Sequence, residues 1–69
     1  MKRISVESSN LRSVGYDEST ETLEIEFSHG GVYQYFGVPK EVYEGLMSAS
    51  SHGKYHAKYI KKRYSYQRV

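Results

Sequence analysis

The chain has 69 residues, no cysteine and a formal net charge of +2, and tyrosine supplies eight of its aromatic side chains. A chain this short forms one domain, and the lack of cysteine excludes disulfides, thiolate catalysis and cysteine zinc sites. No apolar run approaches membrane-spanning length and Met1-Lys2-Arg3 precedes no apolar signal core, so a cytoplasmic location without membrane association is expected.

Residues 1–10 read as an edge strand or a loosely held arm, because Ile4 and Val6 alternate with Ser5 and Glu7. Residues 11–16 form the first clear strand, with Val14 and Tyr16 on one face. Asp17-Glu18-Ser19-Thr20 is a polar turn. Over residues 21–27, Leu23, Ile25 and Phe27 alternate with Glu24 and Glu26, the period-2 pattern of a half-buried antiparallel strand. The two glutamates read as a solvated face rather than an acid–base pair.

The turn after Phe27 admits two registers, and a one-residue slip exchanges the faces of the next strand, residues 32–36. An even-length loop leaves Tyr33 and Tyr35 on the glutamate face as an exposed stacking platform. A three-residue loop with Gly30 in the left-handed conformation sets Tyr33 opposite Ile25 and Tyr35 opposite Leu23, making the pair core-forming. The chemistry of His29-Gly30 favours the odd loop.

Gly37 releases the strand and Val38-Pro39 opens a helix, with Pro39 expected at its first position. Val42, Leu46 and Ala49 form one stripe of this helix and Tyr43 with Met47 a second, while Lys40, Glu41, Glu44 and Ser48 fall opposite. Gly45 inside it points to close packing of the backbone. Ser50-Ser51-His52-Gly53 breaks the helix, and a serine there caps the next one. The last helix spans residues 53–63. At about 100° per residue, Lys54, Lys58, Lys61 and Lys62 share one face, with Tyr55 and Tyr59 along its border. His56, Ala57, Ile60 and Tyr64 lie roughly opposite. Residues 65–69 are a tail that either adds an edge strand or stays mobile.

The fold expected is α+β: a three-stranded antiparallel β-meander followed by two short α-helices packed on one face, with residues 11–64 as the domain. Leu, Ile, Val and Phe number only 14, so tyrosine completes the core and leaves a sticky aromatic surface that a second copy or a protein partner would cover. Charge is segregated along the chain. Residues 1–53 carry four bases against eight acids, whereas residues 54–69 carry six bases and no acid.

That segregation makes the basic helix the foremost candidate site. Lys54, Lys58, Lys61, Lys62 and Arg63 would neutralise phosphates, while Tyr55 and Tyr59 would stack on unpaired bases, so RNA is the expected partner. Ser50, Ser51 and Gly53 at a helix N-terminus offer an anion site, although an ordinary N-cap is preferred. His52 and His56 are four apart, but no acidic residue lies nearby, and core-edge histidines are preferred to a metal site. No metal, cofactor or catalytic activity is expected.

The pattern Ser8-Ser9, Val14-Gly15-Tyr16-Asp17, Leu23, Phe27, Gly30, Tyr33-Gln34-Tyr35, Val38-Pro39, Val42-Tyr43, Leu46, Ala49-Ser50, Gly53, Tyr55, Ile60 and Tyr64 resembles the KTSC domain. That family is named for the C-terminus of some bacterial lysyl-tRNA synthetases and also occurs as a small free-standing bacterial protein, with tyrosine-x-tyrosine as its hallmark. The resemblance spans nearly the whole chain, gives Tyr33 and Tyr35 a structural or stacking role, and implies a lean toward RNA binding. His56 departs from the small polar residue, such as asparagine, expected at its position.

Overall fold

The computed structural model describes residues 1–69 throughout. Five antiparallel strands lie side by side in chain order: β1 (Ile4–Ser5), β2 (Leu11–Asp17), β3 (Thr22–Phe27), β4 (Val32–Tyr35) and β5 (Tyr66–Arg68). Between β4 and β5 the chain forms α1 (Lys40–Ser48), α2 (His52–Tyr55) and a π turn (His56–Ile60), which cover one sheet face. The α+β class stands, but the expected three-stranded meander is corrected to five strands. The two additions are exposed edges of two and three residues, in the terminal segments whose sequence admits either an edge strand or a loose arm or tail. Backbone bonds hold them, including Val6 N–H to Arg12 O at 3.1 Å and Val69 N–H to Val32 O at 2.8 Å.

The β3–β4 hairpin takes the odd loop. Gly30 sits at φ +109°, and Phe27 N–H reaches Gly31 O at 2.8 Å while Gly30 N–H reaches Phe27 O at 2.9 Å. Ile25 therefore pairs with Tyr33 and Leu23 with Tyr35, so both tyrosines stand on the helix-covered face. Tyr35 is buried and Tyr33 is half-buried. On β2 a bulge between Leu11 and Ser13 inserts Arg12. The extra residue brings Leu11 and Val14, three apart, onto the same face.

Val14, Leu23 and Ile25 from the sheet meet Val38, Leu46 and Ile60 from the layer above, all fully buried. Each such side chain stabilises the fold by roughly 1.5–3 kcal/mol. Pro39 stands one position earlier than expected: it is the cap residue of α1, extended at ψ 155°, and its carbonyl accepts from Val42 N–H at 3.0 Å. Tyr16 ties this junction to the sheet, donating to Val38 O at 2.5 Å and stacking on Tyr43 with ring centroids 4.7 Å apart.

The opposite sheet face corrects the expectation of solvated glutamates. Arg3 folds across it, pairs with Glu24 and donates to Ser13 Oγ at 2.9 Å, while Ser13 donates to Glu26 at 2.9 Å and Gln34 to Glu24 at 2.8 Å. Glu24 is buried by this cover. Gly15 makes the crossing possible, because a Cβ there would stand 2.7 Å from Lys2 O.

Candidate functional site

The helical segment is held from both ends. Ser51 Oγ accepts from Lys54 N–H at 3.2 Å, and the His52 ring Nδ1 donates to Leu46 O at 2.7 Å, closing the end of α1. Ser50, Ser51 and Gly53 therefore belong to a cap on a four-residue helix. Gly53 packs against Asn10, and Tyr55 lies where a Cβ on Gly45 would stand.

Beyond Tyr55 the expected α-helix over residues 53–63 is corrected to a π turn, marked by Lys61 N–H donating to His56 O at 2.9 Å, five residues back. The wider turn buries both His56 and Ile60 and shifts the phase of everything after it. The lysines consequently do not form one face. Lys54 and Lys58 border a shallow depression with Ser50, Ser51, Tyr55 and Tyr59. Lys61 and Lys62 instead rim a cleft on the sheet side. Tyr55 and Tyr59 stay together, centroids 4.7 Å apart, with the Lys58 ammonium 5.3 Å from the Tyr59 ring. Arg63 is exposed and lines neither depression.

The cleft is open to solvent and encloses about 520 Å³ between the hairpin, β5 and the π turn. Its walls are aromatic. Tyr66 packs against Tyr33 and Tyr35 with centroids 5.9 and 5.6 Å away, and Phe27 stacks on His29 at 5.4 Å. At its floor the Tyr35 hydroxyl and His56 Nε2 share a hydrogen bond of 2.8 Å. Every buried side-chain nitrogen and oxygen has a partner. The second nitrogen of His56 has no hydrogen-bond partner within the protein. Burial, reinforced by the nearby Lys61 charge, pushes the His56 pKa down to about 4, so the ring is neutral at pH 7. Burial pushes the Tyr35 hydroxyl up to about 12.

Arg68, opposite Tyr33 on β5, places its guanidinium 5.9 Å from the Tyr33 ring. Sequence reasoning missed Tyr66, Arg68 and His29 as members of this site. The available signal was the alternation Tyr66-Gln67-Arg68, which matches the faces of Tyr33-Gln34-Tyr35. His56 was read as a core-edge residue, and its burial agrees, but it also forms the cleft floor.

The ion pairs divide the molecule. All four use Arg3, Arg12 or Lys40 with Glu24, Glu26 or Glu18. None of the six bases in residues 54–69 has an acidic partner. No three histidine and carboxylate side chains converge as a metal-holding group.

The family model described as the KTSC domain matches residues 7–64. An uncharacterized protein of Stutzerimonas stutzeri is 44% identical over all of this chain and 99% of its own length. A lysine–tRNA ligase of Nostoc punctiforme is 40% identical over 91% of this chain, which corresponds to only 11% of that enzyme. The crystal structure of a KTSC domain protein from Yersinia pestis superimposes with a TM-score of 0.97 at 38% identity, covering 99% of this chain and 96% of that one.

Proposed function

This chain belongs to the KTSC domain family, and from that premise we propose that it is a non-catalytic binding module for RNA, acting through its basic C-terminal segment in the cytoplasm. One observation carries the reading: Lys54, Lys58, Lys61, Lys62, Arg63 and Arg68 are all free of acidic partners, while the bases in the rest of the fold supply every ion pair. Unpaired cations beside exposed tyrosines suit a flexible anionic strand, because lysines release counterions from phosphates and rings stack on bases. A domain of this family within a lysine–tRNA ligase supports RNA as the class of partner. On the opposite sheet face the Arg3 guanidinium is engaged by Glu24 and Glu26.

The test is binding to a mixed single-stranded RNA and to tRNA across a salt series. Log affinity should fall linearly with log salt, and Lys58→Glu with Lys61→Glu should weaken binding and flatten the slope. An unchanged slope in that variant would refute the assignment. The second reading is a protein-docking or self-association module, favoured by Tyr66 and Val69, which stand exposed on and beside the edge strand β5. A concentration-dependent rise in mass that ignores salt is its signature.

A further inference from the structure

We propose that the cleft between the hairpin, β5 and the π turn is a nucleotide subsite that takes one unpaired base of a single-stranded RNA with its phosphate. The inference rests on the RNA reading and deepens it by assigning the base to the cleft rather than to the Tyr55–Tyr59 patch.

Three features converge there. First, the aromatic walls are incomplete: Tyr66 is 57% exposed on the edge strand, although its ring packs toward Tyr33 and Tyr35. An aromatic shelf that no helix covers offers a π-face to any base. Second, the only charged residues lining the cleft are cationic, Lys61 and Lys62 on the π-turn side, and the Arg68 guanidinium lies 5.9 Å from the ring of its lining residue Tyr33. No acid lines the cleft, so the charge complements a phosphate. By contrast Tyr55 leans on Gly45 and is committed to packing. Third, the floor is polar without being charged. Tyr35 and His56 satisfy each other through one hydrogen bond at the base of the aromatic walls. Gly31 keeps the cleft corner open, since a Cβ there would stand 2.9 Å from the Tyr33 ring and 3.3 Å from the His29 ring.

The experiment is an NMR titration of the full chain with adenosine 5′-monophosphate, uridine 5′-monophosphate and ribose 5-phosphate, paired with RNA binding by two surface variants. Saturable shifts from the nucleotides at Tyr33, Tyr66, His29 and Lys61, with none from ribose 5-phosphate, are expected. Tyr66→Leu should weaken single-stranded RNA binding about five- to hundredfold with its salt slope intact, as loss of one stacked base requires. Lys62→Ala should instead flatten the slope by about 0.7. RNA binding unaffected by Tyr66→Leu, or nucleotide shifts confined to Tyr55 and Tyr59, would overturn the subsite while leaving the RNA reading standing. Nucleotide shifts in the cleft without any RNA binding would support the subsite and refute that reading.

Discussion

His56 joins the core to the cleft, and its protonation is linked to folding. Its folded pKa is depressed to about 4 by burial and by Lys61, so between that value and the unfolded value the unfolded chain binds more protons. Stability from this group is therefore full above about pH 6.5 and drains away as pH falls toward 4, by about 2–3 kcal/mol. Urea midpoints measured from pH 7 to 4 should fall more steeply in the native protein than in His56→Asn. Replacing Tyr35 by Phe removes the partner of His56 Nε2 and should cost about 1–2 kcal/mol at pH 7, read from the same midpoints. Glu24 titrates in a lower window. Burial pushes its carboxyl up, but hydrogen bonds from Gln34 and Arg3 and the Arg3 charge outweigh this and hold it below the usual range. Its contribution is present above the ordinary carboxylate pKa and is lost only in more acid solution. Arg3→Ala should cost about 1–3 kcal/mol at neutral pH and weaken that acid-range dependence, leaving the part that the Gln34 hydrogen bond supplies.

Between helices the tightest constraint is Gly45 against Tyr55. A Cβ on Gly45 would lie 2.7 Å from the ring carbon that bears the hydroxyl. Gly45→Ala should therefore destabilise by about 1–3 kcal/mol, overriding the 0.5–1 kcal/mol that alanine ordinarily contributes in a helix. Pairing it with Tyr55→Ala in a double-mutant cycle should recover part of the loss. Equal and additive losses would refute the contact. The glycine was legible because it interrupts an otherwise periodic helix, and the hairpin register was legible because His29-Gly30 selects a three-residue loop. The π turn was not legible. Its five-residue hydrogen bond follows from His56 meeting Tyr35 and Ile60 filling the core, contacts made across the fold rather than along the chain. A constant 100° advance therefore gathered four lysines that the structure separates. The cover over Glu24 was hidden likewise, since Arg3 lies 21 residues away in sequence.

Taken whole, the molecule is polarised. Its acids are concentrated before residue 53, where Arg3, Arg12 and Lys40 engage several of them, and, Lys2 aside, its unpaired bases all follow. A net charge of only +2 conceals this, and the RNA reading depends on the local field rather than the total. The π turn divides the cations between two surfaces, so RNA binding should depend unequally on them. Each phosphate contact on a single strand contributes about 0.7 to the slope of log affinity against log salt. With Lys61 and Lys62 at the cleft, replacing both by alanine should flatten the slope by about 1.4. Replacing Lys54 and Lys58, which border the separate Tyr55–Tyr59 depression, should flatten it by less than half as much. Circular dichroism should show both double variants folded, since these four lysines are exposed and form no ion pair. Equal losses from the two pairs would mean that the strand crosses both surfaces. A larger loss from Lys54 and Lys58 would move the site from the cleft to the outer patch.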